Sequence, residues 1–199
     1  MKASHRADLC CWSVFDTARD LDFHGWAWFR DGGAVLIDPV AMGAHDRAQA
    51  AARGGVSWIV VTNSDHVRET VALSAAFNAS IAGPAGERAA FPIPCDRWLA
   101  DGDTLVPGLT VATLDGSKTP GELALRIGDT LIFGDLVRGH RGGALNLLPD
   151  AKLTDRAAAE ASVRRLIEPS VQAVLVGDGW PVFRDGAARL AEALQAPRP

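Results

Sequence analysis

The 199-residue sequence contains no tyrosine, only three cysteines and no long hydrophobic run. Without tyrosine, the chain has no phenolic acid, base or nucleophile. The cysteines are Cys10, Cys11 and Cys95. An odd number, in a chain whose first residues lack the apolar stretch of a signal peptide, predicts reduced thiols and a cytoplasmic protein. Because no apolar run approaches the roughly 18 residues of a membrane helix, we expect no membrane span.

The sequence also lacks runs of charge of one sign. It carries 20 Lys and Arg against 24 Asp and Glu, a net charge of -4. With no basic run, we expect neither a nucleic-acid partner nor attachment to an acidic membrane surface. This length predicts one domain over residues 1–199. Trp12, Trp26 and Trp28 lie close together in the sequence and are equally consistent with a homodimer interface and with core packing.

Short β-branched runs bounded by Gly, Pro or Asp predict six strands, Ala34–Asp38, Ser57–Thr62, Leu109–Leu114, Glu122–Ile127, Thr130–Gly134 and Gln172–Gly177. One hairpin is predicted in "FHGWAWFRDGGAVLID" and another across Gly128 and Asp129. Helices are predicted between the strands at His45–Arg53, Asp65–Asn78, Asp155–Ile167 with Thr154 as its cap, and Arg184–Leu194. This pattern indicates an α/β (α+β) fold with mixed sheets covered by helices.

Polar side chains follow four of the predicted strands. "VLID" ends at Asp38, "IVVTNSD" at Asn63 and Asp65, "LIFGD" at Asp135, and "VLVGD" at Asp178. In layered α/β proteins the carboxyl ends of strands carry the ligand site. Two carboxylates about 4 Å apart at an effective dielectric of about 20 repel by roughly 4 kcal/mol. A metal ion or a basic side chain must therefore lie among them.

Each strand end also has a purely structural interpretation. Asn63 can cap the helix that follows, and Asp65 suits the positive end of that helix. The combination of several strand ends with the Asp65–His66 pair favours a real site. His24 is interpreted as a packed or hydrogen-bonded histidine. His140 is interpreted as part of a solvated loop, with a position near the site as the alternative.

These residues, taken in order, resemble the metallo-beta-lactamase superfamily over nearly the whole chain. The resemblance implies a four-layer αββα sandwich with metal ligands on loops along one edge. The early strand-then-Asp landmark of the family matches Asp38. The H-x-H-x-D-H signature and the three later ligand positions of the family fall on Val61, Asn63, Asp65 and His66, then on Lys118 in "GSKTPGE", Asp135 in "GD" and Asp178 in "VGDGW".

The resemblance implies that one metal position is lost, because Val61, Asn63 and Lys118 stand where that position needs histidines. An apolar side chain, an amide and an ammonium are not zinc ligands. The second metal position maps onto Asp65, His66, Asp135 and Asp178. This oxygen-rich set suits the harder ions. The expected cofactor is one divalent ion (Zn, Mn or Fe) or none.

Two functions follow from the resemblance. The first is a hydrolase in which one metal ion, held in part by Asp65, lowers the pKa of a bound water. In it, Lys118 and Asn63 stabilise the developing oxyanion. We hypothesise that the Lys118 ammonium projects where the lost metal would be and neutralises neighbouring carboxylates. The second function is a non-catalytic member that binds a small ligand or a protein partner in the same cleft. In either case, the residues expected to contact a small-molecule substrate or ligand are Arg68, Arg138 and Trp180.

Overall fold

Seven strands form the first sheet, and they follow one another across it in chain order. The computed structural model describes residues 1–196. The strands of this sheet are β1 (Lys2–Ala3), β2 (Leu9–Asp16), β3 (Leu21–Trp28), β4 (Ala34–Ile37), β5 (Val56–Val60), β6 (Ser80–Pro84) and β7 (Arg97–Leu99). Strands β1 to β4 pair antiparallel, whereas β4 to β7 pair parallel. The parallel half needs crossover connections, and two of these contain helices.

The second sheet has five strands in the order β14-β11-β10-β9-β8. These are β8 (Thr104–Val106), β9 (Leu109–Leu114), β10 (Glu122–Ile127), β11 (Thr130–Phe133) and β14 (Ala173–Val176). All pairs are antiparallel except β11 with β14, which run parallel. A separate two-stranded hairpin lies between β11 and β14 in the sequence. It is formed by β12 (Val137–Arg141) and β13 (Ala144–Leu147).

Four helices cover the outer faces of the two sheets, namely α1 (Ala44–Ala52), α2 (Thr70–Phe77), α3 (Arg156–Arg164) and α4 (Gly186–Gln195). Alternation along β4 shows the layering: Val35 and Ile37 pack in the apolar cluster between the sheets, while Leu36 packs in the cluster that includes Ala50 of α1. Helices α3 and α4 pack against the second sheet. The result is an αββα sandwich. None of the helices within residues 1–196 is long and apolar enough to cross a membrane.

The six predicted strands and both predicted hairpins are confirmed, with ends shifted by at most two residues. The predicted helix Asp65–Asn78 is wrong in its first turn. A short 3-10 turn, Ser64–His66, comes first, and α2 begins only at Thr70. The predicted single domain ends at residue 199, so its last three residues lie outside the described range.

The predicted cap of α3 is also wrong. The side chain of Asp155, not that of Thr154, accepts a hydrogen bond from the first turn, from the amide of Ala158. The hydroxyl of Thr154 donates instead to the carbonyl of Ser117 at 2.8 Å. Thr154 thereby ties the start of α3 to the loop that carries Lys118.

Candidate functional site

The candidate site lies where parallel strands of both sheets end. In the first sheet, β4 and β5 lead to Asp38 and Asn63. In the second, β11 and β14 lead to Asp135 and Asp178. Because parallel strands end at the same edge of a sheet, these side chains come together there. Asp135 and Asp178 border a cleft of about 680 Å³.

Two glycines allow the sheets to approach each other at this edge. A Cβ atom at Gly134 would lie 2.3 Å from the Thr62 hydroxyl oxygen and 2.9 Å from the Asn63 amide nitrogen. A Cβ atom at Gly177 would lie 2.8 Å from Cε1 of His66. Each glycine directly precedes a site aspartate. The Gly-Asp pairs of the sequence are therefore explained by close packing at the site.

His66 is buried between two carboxylates. Its Nδ1 lies 2.8 Å from Oδ2 of Asp38, and its Nε2 lies 3.4 Å from Oδ2 of Asp135. Burial alone would lower the pKa of His66, but the two carboxylates outweigh it and raise the pKa to about 9. Asp38 is fixed in turn by the amide and the hydroxyl of Thr62, at 2.7 and 2.6 Å. The ring is therefore an imidazolium near neutral pH, with both nitrogens donating.

The Lys118 ammonium bridges two other carboxylates. Nζ lies 2.5 Å from Oδ2 of Asp65 and 2.8 Å from Oδ2 of Asp135. Burial opposes the charge of Lys118, yet these two partners raise its pKa. The amide of Asn63 donates to the same Asp135 oxygen at 3.0 Å. For Asp135, burial would raise the pKa of the carboxyl, but His66 and Lys118 together hold it well below its usual range. The expected ion pairs of Lys118 with both carboxylates are therefore present.

Strand β12 supplies two further side chains that contact the carboxylates, Arg138 and His140. The guanidinium of Arg138 donates to Oδ1 of Asp135 at 3.2 Å and lies 3.8 Å from Oδ2 of Asp178. Nε2 of His140 lies 3.2 Å from the same Asp178 oxygen. His140 is exposed as expected, but it lies on a strand, not in a loop, and it lines the cleft. Arg138 reaches the site as predicted.

Arg68 lines the cleft but is held by the backbone. One guanidinium nitrogen donates to the carbonyls of His24 and Asp38, at 2.9 and 3.0 Å. The guanidinium also lies over the ring of Phe23, 5.4 Å from its centroid. His24 itself is buried and bonded to the carbonyl of Gly179, as predicted for a packed histidine.

Sequence reasoning missed Glu122, which joins two loops of the site. One carboxylate oxygen accepts from the amides of Asp135 and Leu136, at 2.7 and 2.9 Å. The other oxygen accepts from the hydroxyl of Ser117, next to Lys118. Burial, with the nearby charge of Asp135, raises the pKa of Glu122 to about 7. The available signal was a carboxylate opening the otherwise apolar strand "ELALRI".

Two of the predicted site residues, Asn63 and Trp180, do not line the cleft. Asn63 is fully buried, and its side chain is committed to Asp135 and to the amide of Asp65. A substrate in the cleft therefore cannot reach the Asn63 side chain, in contrast to the prediction. Trp180 is 64% exposed and lies outside the lining of the cleft, so its predicted place in a pocket wall is corrected.

Comparison with known proteins assigns the chain to a family. Residues 1–196 match the model described as "Metallo-beta-lactamase superfamily". The chain is also 33% identical, over 116 residues, to a hydroxyacylglutathione hydrolase of Acidiphilium cryptum (strain JF-5). That match covers 57% of this chain and 46% of the relative, so less than half of the relative's length is matched. The chain belongs to the metallo-beta-lactamase superfamily.

Solved structures share the fold at low sequence identity. A metallo-beta-lactamase from Pontibacter korlensis has a TM-score of 0.75 at 19% identity, covering 99% of this chain and 98% of its own. The metallo-beta-lactamase FIM-1 from Pseudomonas aeruginosa, in the mono-zinc form, has a TM-score of 0.72 at 13% identity, covering 94% and 90%. An archaeal superfamily protein from Sulfolobus tokodaii has a TM-score of 0.68 at 14% identity, covering 94% and 84%.

The superfamily generally binds divalent metals such as zinc, but the residues at this site do not fit one. Among residues 1–196, no three His, Cys, Asp or Glu side chains are grouped so that they could hold a metal ion. In the expected ligand set, the carboxylates contact Lys118, Arg138 and His140, and the histidine contacts two carboxylates. That set is Asp65, His66, Asp135 and Asp178. Within this set, Oδ1 of Asp178 is buried and has no hydrogen-bond partner among the described residues.

Proposed function

We propose that this chain binds a small anionic molecule in its cleft and does so without a metal ion. The observation that carries the proposal is the reversal of charge at the cleft. Five Lys and Arg line it against four Asp and Glu. The whole chain has the opposite balance, 20 against 24. A cleft of one sign with low-dielectric walls concentrates ligands of the other sign.

The cleft also has an apolar wall on the side of the β2–β3 hairpin, formed by Val14, Leu21, Phe23 and Val40. Its charged wall includes Arg19 and Lys152, whose side chains are more exposed than the ion pairs at the base. Pockets for small molecules combine apolar walls with a few placed polar groups. The fitting ligand is therefore a carboxylate or phosphate monoester with an apolar body.

The lining of the cleft supports binding over hydrolysis. None of the side chains that line it carries a hydroxyl or a thiol, so it offers no Ser, Thr or Cys nucleophile. His66 has both nitrogens directed at carboxylates and cannot accept a proton from water. Lys118 is held as a cation and cannot act as a base. The Lys and Arg side chains of the lining, which outnumber its carboxylates, can attract and orient an anion.

The test is a thermal-shift screen of carboxylates and phosphate monoesters, each paired with its neutral amide or alcohol. We expect the anion of a pair to bind at least about tenfold more tightly by calorimetry, a difference of about 1.4 kcal/mol. The double variant R19M/K152M should lose several-fold in affinity, since each exposed charge contributes up to about 1 kcal/mol. Arg189→Met, which removes a half-buried arginine of α4 away from the cleft, is the control. Equal binding of anions and neutral analogues would contradict the proposal.

The second candidate is a hydrolase with a single divalent ion. The family relationship, the relative named as a hydroxyacylglutathione hydrolase and the mono-zinc form of a structural neighbour support it. So does the unpartnered oxygen of Asp178. Such an ion would need His66 to lose a proton and Lys118 to move away from Asp135. Loading with Zn, Mn or Fe, followed by thioester and ester hydrolysis assays with Asp135→Ala as the control, decides between the two functions.

A further inference from the structure

We propose that Lys118 takes the place of a metal ion in this chain, and that replacing it with histidine, together with Asn63, restores metal binding. The inference concerns the base of the cleft and holds whatever ligand the cleft takes. It starts from the disagreement between a superfamily that binds divalent metals and a site that does not fit one.

The position of the ammonium is that of a bridging cation. Its nitrogen lies 2.5 Å from Asp65 Oδ2 and 2.8 Å from Asp135 Oδ2. Oxygen ligands of protein metal ions lie at about 2.0–2.6 Å. An ion at this point would have the same two carboxylate oxygens as its first ligands. The ammonium therefore occupies the space between the carboxylates that a metal would need.

Asn63 and Val61 complete the replacement. The Asn63 amide donates to Asp135 Oδ2 at 3.0 Å, and its oxygen accepts from the amide of Asp65, also at 3.0 Å. Asn63 thus holds in place the two carboxylates that Lys118 bridges. Val61 is fully buried and contributes to the core. The family resemblance places a histidine at each of these three positions. In this chain, each of the three side chains contacts other parts of the protein instead.

Charge balance points the same way. Four carboxylates meet at the base of the cleft, those of Asp38, Asp65, Asp135 and Asp178. Three positively charged side chains contact or adjoin them, namely Arg68, Lys118 and Arg138, and the His66 ring lies between Asp38 and Asp135. Like charges at these distances repel strongly unless they are compensated. Here the compensation comes entirely from the chain.

The experiment compares wild type, Lys118→Met, the double variant N63H/K118H and the control Lys152→Met. Lys152 lines the same cleft but has no ion pair among the described residues. Each protein is treated with EDTA, dialysed and titrated with Zn²⁺. The readouts are bound zinc by mass spectrometry, zinc affinity by calorimetry and the melting temperature with and without zinc.

Wild type and Lys152→Met should bind no stoichiometric zinc, and their melting temperatures should be the same with EDTA or zinc. Lys118→Met should melt several degrees lower, and zinc should recover part of the loss. N63H/K118H should bind about one zinc per chain, with a dissociation constant at least about a hundredfold below that of wild type, because even outer-shell changes alter metal affinity 10–100-fold.

Stoichiometric zinc in wild type, or a Lys118→Met protein that melts like wild type, would overturn the inference. So would N63H/K118H that has the wild-type circular dichroism spectrum but does not bind zinc. If the double variant fails to fold, Lys118→Met alone decides. None of these readouts involves the anionic ligand, so failure here is distinguishable from failure of the proposed function.

Discussion

His66 and Asp38 form a buried ion pair, with Nδ1 of the histidine 2.8 Å from Oδ2 of the aspartate. Both carboxylate oxygens of Asp38 also accept hydrogen bonds from Thr62, so a ligand cannot reach the pair through Asp38. The pair joins the ends of β4 and β5 to the 3-10 turn that follows. It therefore stabilises the frame of the site.

The free energy of unfolding should fall as the pH rises from 6 to above 9. His66 has a folded-state pKa of about 9, above its usual value of 6.5, so its contribution is full below pH 6.5 and lost as the pH rises through 9. The contribution is on the order of 3 kcal/mol. The groups facing the ring are Asp38, Asp135 and Arg68. Urea unfolding across this range should show the slope, and His66→Asn should flatten it. A slope that is unchanged in the variant would contradict the account.

Asp38→Asn should leave His66 with one carboxylate partner and lower its pKa by more than one unit. Breaking a buried ion pair by removing one partner costs about 3–5 kcal/mol. The pKa is measured by NMR titration of the ring and the stability by urea unfolding. Asp31→Asn, at an exposed turn, is the control and should change neither. A normal histidine titration in wild type would contradict the pairing.

Glu122→Gln should be tolerated, whereas Glu122→Ala should cost about 2–4 kcal/mol. The amide oxygen of Gln can still accept from the amides of Asp135 and Leu136, but Ala leaves these donors buried and unpaired. Glu122 has a raised pKa of about 7, so its contribution is full below 4.5 and declines as the pH rises through 7. Glu122→Gln should remove that part of the pH dependence. If both variants lost the same free energy of unfolding, the hydrogen bonds accepted by the Glu122 side chain would not account for its contribution to stability.

Gly134→Ala should destabilise the protein by about 2 kcal/mol or more, because the new methyl would overlap the Thr62 hydroxyl. Gly142→Ala is the matched control, since a Cβ at Gly142 has nothing within 4 Å. Thermal unfolding of the two variants, measured together, checks the prediction. A Gly134→Ala protein as stable as Gly142→Ala would mean that the sheets do not approach as closely as described.

Much of this architecture can be predicted from sequence because it depends on local patterns. The strand "TLIFGD" and the turn at Asp135 follow from β-branched runs and Gly-Asp punctuation. Charge alone predicted a metal ion or a basic side chain among the strand-end carboxylates. The family resemblance then identified Lys118 as that side chain.

The rest depends on which strands become neighbours, which no local pattern reveals. The pairing of Asp38 with His66 needs the parallel register of β4 and β5. The role of Glu122 needs β10 to lie beside β11 with its first residue at the Asp135 turn. The late start of α2 follows from the 3-10 turn that directs His66 into the site, which overrides the helical spacing of the sequence.

The central claim, a site completed by the chain's own cations, is tested most directly by the metal content of the purified wild-type protein. The protein is prepared without chelators, analysed by mass spectrometry, and melted before and after EDTA. The account predicts well under one metal ion per chain, about 0.1 or less, and the same melting temperature in both conditions. About one Zn, Mn or Fe ion per chain, removed by EDTA with a lower melting temperature, would contradict it.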